Sequence, residues 1–140
     1  MFERYSEAAR IVIFYARAKA TLFPTGYIEP EHMLLALIQH QSELMRQLLP
    51  ETDFGAMTAA LEAAFTNPRG LRIPANADLP LSPVARAALK KAAKEAAALN
   101  QRVIEPGHLL LGLLAQPKTT AASLLAQAGL TPEAVRDRLR

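Results

Sequence analysis

The groups able to carry chemistry in this chain are few, and they come in pairs. His32 sits in Ile28-Glu29-Pro30-Glu31-His32-Met33-Leu34-Leu35-Ala36-Leu37, and His108 in Ile104-Glu105-Pro106-Gly107-His108-Leu109-Leu110-Leu111-Gly112-Leu113. Ser6 and Ser82 make a second pair. A metal site needs further ligands at suitable spacing, and the chain has no Cys and no His-x-x-x-His helix pair. His40 stands two helical turns from His32, too far to share one ion with it. No metal is expected. Neither serine lies in a Gly-x-Ser-x-Gly turn, and no Gly-x-x-x-x-Gly-Lys loop is present to cradle nucleotide phosphates. Neither catalysis nor a cofactor is expected. Recognition is what remains. Glu29, Glu31 and Glu105 gather at helix starts, either to complement the helix dipole or to form a small acidic notch for a basic group. Glu29 and Glu105 repeat, which favours the capping role. Glu31 does not, since Gly107 takes its place. Each histidine reads as structural, closing the first turn of its helix and bonding to a neighbour.

These pairs are part of a larger repetition. Ile28 to Ile104 and His32 to His108 share one offset, 104 − 28 = 108 − 32 = 76. The same offset links Arg10 to Arg86, Ala16 to Ala92, Ala20 to Ala96 and Leu48-Leu49 to Leu124-Leu125. The register runs without a gap from Ser6–Phe54 to Ser82–Leu130, which marks an internal duplication. Each copy supplies the same positioning elements. Ser6 caps a first helix whose apolar stripe is expected at Ala8, Ile11, Val12, Tyr15, Ala18 and Leu22, widened by Phe14. Phe23-Pro24-Thr25-Gly26 stops it. Pro30 then occupies the first position of a second helix, where its missing N–H does no harm. Met33, Leu34, Leu37 and Ile38 face the core. A third short helix carries Leu44, Met45, Leu48 and Leu49 up to Pro50, and Asp53 or Thr52 caps a fourth with Met57, Leu61 and Phe65. The stretch from Asn67 to Leu81, with Pro68, Gly70, Pro74 and Pro80, cannot be helical and reads as a linker packed along the surface through Leu71, Ile73, Leu79 and Leu81. Ser82-Pro83 opens the second half, whose first helix buries Ala85, Ala88, Leu89, Ala92, Ala96 and Leu99. Pro106 opens the next helix, with Leu109, Leu110, Leu113 and Leu114 inward. Thr119–Ala128 follows, stopped by Gly129. Thr131-Pro132 opens the last helix, with Val135 and Leu139 inward. Nothing alternates strictly, so no strand is expected. The expectation is an all-α domain of eight helices, divided into repeat one (1–66), a linker (67–81) and repeat two (82–140).

Bulk properties exclude several classes. Of the 140 residues, 51% are hydrophobic and 21% charged, enough for a core and too apolar for a disordered chain. There is no disulfide framework, no basic-then-apolar leader at Met1–Glu7, and no apolar run of membrane-spanning length. The default compartment is cytoplasmic. A net charge of +3 permits an anionic partner without demanding one. Arg86, Lys90 and Lys94 form a row on the fifth helix, with Lys91 beside them. It reads as a solvated face. Binding to nucleic acid is the alternative, and aromatics at 6% argue against it. Arg136, Arg138 and Arg140 are expected to lead into solvent or into a continuation of the chain.

The residues Ser6…Ala9-Arg10, Ile28–Leu37 and their echo from Ser82 to Leu113 resemble the double Clp N-terminal domain, the Clp repeat domain that precedes the ATPase rings of ClpA, ClpB and ClpC. The resemblance spans essentially the whole chain. It implies two four-helix repeats related by a pseudo-twofold axis. It also implies a non-catalytic docking module for adaptor proteins and for unfolded or tagged polypeptides, attached to a Clp ATPase ring or free-standing. In ClpC-like members each repeat accepts a phosphorylated arginine. The glutamate before the motif histidine takes the guanidinium, and the phosphate lies near the start of a repeat's first helix. Carried over, these positions are Glu31 and Ser6 in one repeat and Gly107 and Ser82 in the other, where the carboxylate is missing. The physics of such a site is a helix N-terminus for the anion and a carboxylate for the guanidinium. Pro30, His32, Pro106 and His108 are the structural part of the motif.

Overall fold

A computed structural model describes residues 2–67, 70–74 and 76–140. Met1, Ala75, and the linker's Pro68 and Arg69 lie outside the described residues. Among those described, eight helices form: α1 (Glu7–Leu22), α2 (Pro30–His40), α3 (Ser42–Leu48), α4 (Phe54–Ala64), α5 (Pro83–Ala98), α6 (Pro106–Leu114), α7 (Thr120–Gln127) and α8 (Pro132–Leu139). Most open on a side-chain cap. Ser6 accepts from the Ala9 N–H at 3.0 Å, Asp53 from Ala56 at 3.0 Å, Ser82 from Ala85 at 3.1 Å, Thr119 from Ala122 at 3.1 Å and Thr131 from Ala134 at 3.2 Å. Each bond satisfies one of the orphan N–H groups of a first turn. At the far end of α7, Gly129 takes φ 95°, and the N–H groups of Gly129 and Leu130 close back on Ala126 and Leu125, each at 3.0 Å. That left-handed position suits glycine because it has no Cβ.

The two halves are joined by a reciprocal exchange of backbone bonds. The residues before α1 pair with the lead-in to α6: Ile104 N–H donates to Arg4 at 2.8 Å, and Ser6 N–H donates to Ile104 at 3.0 Å. The residues before α5 pair with the lead-in to α2: Ile28 N–H donates to Pro80 at 2.8 Å, and Ser82 N–H to Ile28 at 3.1 Å. Shifting one set by 76 positions generates the other, as the pseudo-twofold requires. These are isolated parallel bridges, Tyr5 with Ile104 and Ile28 with Leu81, and among the described residues no sheet grows from them.

The core lies around α2 and α6. In α2 every residue from His32 to Leu37 is buried, and in α6 every residue from Pro106 to Leu113. Helices apolar on all sides belong at the centre of a bundle. Around them α1 and α5 present small residues: Ala9, Val12, Ala16 and Ala20 on one, Ala85, Ala88, Ala92 and Ala96 on the other. Backbones therefore approach closely. At Gly112 an added Cβ would lie 2.1 Å from the Ala88 carbonyl oxygen. This corrects the stripe expected for the first helix. Ile11, Tyr15, Leu22 and Phe14 are exposed, while Ala9, Val12, Ala16 and Ala20 point inward. The close α1–α2 approach selects small residues for the inner face, so side-chain size points the wrong way. In the linker, Leu79 and Leu81 pack on the core, whereas Leu71 is exposed. Arg17 fastens this segment to α1 by donating to the Ala77 carbonyl at 3.0 Å.

Candidate functional site

The paired motif residues are held by the fold itself. Pro30 sets the start of α2, and Glu29 caps it in a box closed by His32. The Glu29 N–H donates to His32 Nδ1 at 2.9 Å, and His32 Nε2 meets the Phe23 carbonyl at 2.8 Å. Nδ1 accepts, so Nε2 must carry the proton and donate: the ring is neutral, with one defined tautomer. Repeat two copies the arrangement. Glu105 N–H donates to His108 Nδ1 at 2.8 Å, His108 Nε2 donates to Gln101 Oε1 at 2.6 Å, and Gln101 Nε2 donates to the Leu139 carbonyl at 2.7 Å. Both rings are fully buried, and burial holds both imidazoles below their ordinary pKa. Phe65 stacks on His32 at 4.4 Å. With one nitrogen accepting and the other donating, neither ring keeps a lone pair for a metal. Among the described residues no group of three or more His, Cys, Asp or Glu could hold one.

Beside each histidine motif lies a cleft. The first, of about 160 Å³, is lined by Thr25, Glu29, Glu31, Phe65, Thr66 and Thr120. Here the sequence had left a fact out of reach. Glu31 Oε2 accepts the Ala121 N–H at 3.0 Å, from the first turn of α7 in the other repeat. Glu31 is thus a capping carboxylate across 90 residues of chain, a placement with no local sequence signal. The second cleft, of about 350 Å³, is lined by residues including Glu43, Gln47, Glu105, Gly107, Arg138 and Leu139. Gly107 takes the place of Glu31, and Leu139 fills the space beside it: a Cβ at 107 would lie 2.8 Å from Leu139 Cδ2. Arg138 reaches Gln47 across this cleft. The clefts are related by the duplication but differ in chemistry. The first sets the Glu31 carboxylate among threonine hydroxyls, whereas the second keeps Glu43 and Glu105 on its walls but has the aliphatic Leu139 beside Gly107.

Ser6 and Ser82 are engaged as caps, and their N–H groups pair with the opposite repeat. The structure sets Ser82 against Ile28, at the lead-in to Glu31's helix, and Ser6 against Ile104, at the lead-in to Gly107's helix. On α5, Arg86, Lys90 and Lys94 are exposed, while Lys91 pairs with Glu95 at 3.3 Å. The expectation of solvent for Arg136 is corrected. Its guanidinium forks onto the buried Glu95 at 3.0 and 2.9 Å, tying α8 to α5. Arg136 above all holds Glu95 down to about 2. One further cluster was not foreseen as a unit. Tyr15 stacks on His40 with centroids 3.7 Å apart, and Phe14 sets its ring edge-on to Tyr15 at 5.2 Å.

Comparison with known proteins agrees with this architecture. Residues 80–140 match the Clp repeat (R) N-terminal domain. The chloroplastic ClpA homologue of Brassica napus is 30% identical over 139 residues, covering 99% of this chain and 16% of that protein. Chloroplastic ClpC1 of Oryza sativa is likewise 30% identical over 139 residues, covering 99% of this chain and 15% of that one. The chain thus spans about a sixth of these relatives. Among solved structures, the N-terminal domain of ClpD from Arabidopsis thaliana superposes with a TM-score of 0.79 at 20% identity, covering 99% of this chain and 96% of that one. The Hsp104 N-terminal domain from Candida albicans gives 0.75 at 18%, covering 97% and 89%. At those identities the likeness shows the fold alone. No helix among the described residues is long and apolar enough to cross a membrane. The matched second half, the alignment through both halves and the shared eight-helix fold lead to one conclusion: this chain belongs to the Clp N-terminal (Clp repeat) domain family.

Proposed function

We propose that this domain is a non-catalytic docking module of the Clp chaperone and protease system, receiving adaptor proteins and unfolded or phosphoarginine-tagged polypeptides on behalf of a Clp ATPase ring. The observation that carries the reading is family membership through both repeats. It is supported by the engagement of the buried polar groups: both motif histidines and both serines hold helices together. The test is titration of the labelled, unfolded probe carboxymethylated lactalbumin against the whole 140-residue chain, followed by anisotropy. Saturable binding is expected, and a flat response overturns the reading.

Within that function, phosphoarginine binding is a one-site property of the Glu31 cleft. Its carboxylate shares one oxygen with Ala121, and the cleft wall supplies hydroxyls from Thr25, Thr66 and Thr120. Calorimetry with free phosphoarginine should give one equivalent per chain. Two equivalents would mean that the cleft beside Leu139 binds phosphoarginine without a carboxylate at position 107. The proposed compartment is cytoplasmic. A second reading rests on the exposed row Arg86, Lys90 and Lys94, which could meet nucleic acid or another polyanion. It requires binding that weakens steeply with salt, and a flat salt response removes it.

A further inference from the structure

The duplication supplies an internal control for the surface. Positions 76 apart lie on equivalent helix faces, so the outer faces of α1 and α5 can be compared residue by residue. Where α5 carries Lys90, Lys91, Lys94 and the alanines 87 and 98, α1 carries Phe14, Tyr15, Ala18, Ile11 and Leu22. The α5 face is what a solvated helix wants. The α1 face is not: Phe14 is 62% exposed, Leu22 67%, Ile11 38% and Tyr15 37%. The fold position does not demand large apolar side chains, because the second copy carries lysine opposite Phe14 and Tyr15 and alanine opposite Ile11 and Leu22. They form a continuous seam along α1 at the three-and-four spacing of one helix face. Exposed apolar surface gathered this way marks an interaction site.

We infer that the outer face of α1 docks an acidic amphipathic helix of a partner protein. The inference rests on the docking function proposed above and names the partner's chemistry. Three observations select this occupant. The first is charge. Arg10, Arg17 and Lys19 accompany the seam against one acid on the helix, Glu7, so acidic flanks on the partner are complementary. The second is area. The exposed fractions of four large side chains amount to roughly 400 Å², taking ~200 Å² for each side chain. A stable interface between two folded copies needs ~800 Å² from each, so a single helix fits the seam and a second copy of the domain does not. The third is backbone chemistry. Among the described residues the only extended pairings are two isolated bridges, with no strand for an extended peptide to join, whereas a helix brings its own hydrogen bonds satisfied. The seam is also set in advance. Tyr15 is held flat against His40, and Phe14 edge-on to Tyr15, which reduces the ordering entropy lost on binding. Alongside runs a groove of about 390 Å³ walled by Phe14, Ile13 and Leu79 and flanked by Arg10 and Arg17 against one carboxylate, Asp78, able to take an apolar anchor.

The test uses the whole chain and a fluorescein-labelled synthetic peptide of about 18 residues, long enough to form a helix, with Leu at three-and-four spacing and Glu elsewhere. Saturable anisotropy is expected for this peptide and not for its Leu→Ser counterpart of equal charge. Phe14→Lys and Leu22→Ala, made separately, should each weaken binding about tenfold or more while leaving the melting temperature unchanged, since lysine already stands at position 90. Any of four results overturns the inference: no binding up to roughly millimolar peptide, equal affinity in both variants, equal binding of the Leu→Ser peptide, or loss of peptide binding caused by self-association through the seam. Preference of the same face for anionic vesicles over the peptide would assign it to membranes and overturn it too. Carboxymethylated lactalbumin serves as the separate readout. Peptide binding that survives Phe14→Lys, beside intact lactalbumin binding, defeats this inference alone, whereas absence of lactalbumin binding in the unaltered chain defeats the docking function.

Discussion

His32 and His108 are buried and held at both ring nitrogens, and that constraint is testable by pH. Each ring accepts an N–H at Nδ1, so a second proton has no place to go without breaking the capping box. The folded rings therefore titrate below the ordinary value of about 6.5, while the unfolded rings titrate near it. Between those values the unfolded chain binds more protons, so stability rises with pH there and is lost as pH falls below about 6.5. The slope is at most about 1.4 kcal/mol per pH unit for each ring. Urea midpoints at pH 7.5 and 5.5 should differ, with the lower value at the acid end; equal midpoints would show that the rings protonate in place. Glu95 follows with the same sign further down. Its pKa is lowered to about 2, chiefly by Arg136, so its contribution is present above pH 4.5 and fades as pH drops toward 2. Glu31 separates stability from recognition. Glu31→Gln keeps an oxygen for the Ala121 N–H but removes the charge, so melting should change little while phosphoarginine binding is lost. Glu31→Ala removes the cap as well and should lower stability by about 1 kcal/mol. Calorimetry beside thermal melting distinguishes the two effects, and a Glu31→Gln variant that binds unchanged would take the guanidinium away from this cleft.

At the scale of elements, α5 and α6 meet at a glycine where repeat one has larger residues. Gly112 faces Ala88, whereas Ala36 and Val12 hold the corresponding positions. Gly112→Ala would drive a Cβ to 2.1 Å from a backbone oxygen, which no rotamer change relieves. We expect a loss of about 3 kcal/mol or more, read as a lowered urea midpoint. Ala36→Gly, at the matching position of α2, should lose only about 1 kcal/mol from helix propensity. Similar losses at both positions would contradict the close approach. This asymmetry also explains what the sequence made legible. Helix starts were readable because caps and prolines act locally: Ser6, Asp53, Ser82, Pro106 and Thr131 mark their own boundaries. The inner face of α5 was readable because its polar side is lysine. The inner face of α1 was not, because its largest apolar residues face outward and alanines face in. Contacts that link the halves leave no local trace. Glu31 with Ala121, and Glu95 with Arg136, join residues 90 and 41 positions apart, and nothing in the spacing of either residue announces its partner.

For the whole molecule, the reciprocal bridges decide whether the repeats are independent. Each half lends the residues before its first helix to the other half's motif lead-in: Arg4 and Ser6 to Ile104, Pro80 and Ser82 to Ile28. Each half also leaves α2 or α6 buried against the other, and Glu31 caps a helix across the boundary. A lone half, roughly 60 residues long, would expose part of the most apolar helix it owns, at a size where burial is already marginal. We therefore predict that residues 1–66 and 77–140, prepared as separate chains so that Ala77, Leu79, Pro80 and Leu81 stay with repeat two, show little cooperative unfolding alone. Mixed in equal amounts, they should recover helical circular dichroism and a urea transition whose midpoint rises with concentration, as a bimolecular fold requires. The intact chain should unfold in one step, with fluorescence and circular dichroism transitions coincident. A half that melts cooperatively by itself, or an intact chain with two separated transitions, would mean that the duplicated units remained autonomous and that the exchanged lead-ins are a late embellishment. The linker then matters for concentration more than for contact. It keeps the halves at high effective concentration, so cutting between Gly70 and Pro74 should weaken the fold without abolishing it, provided Leu79, Leu81 and the Ala77 bond to Arg17 stay attached to repeat two.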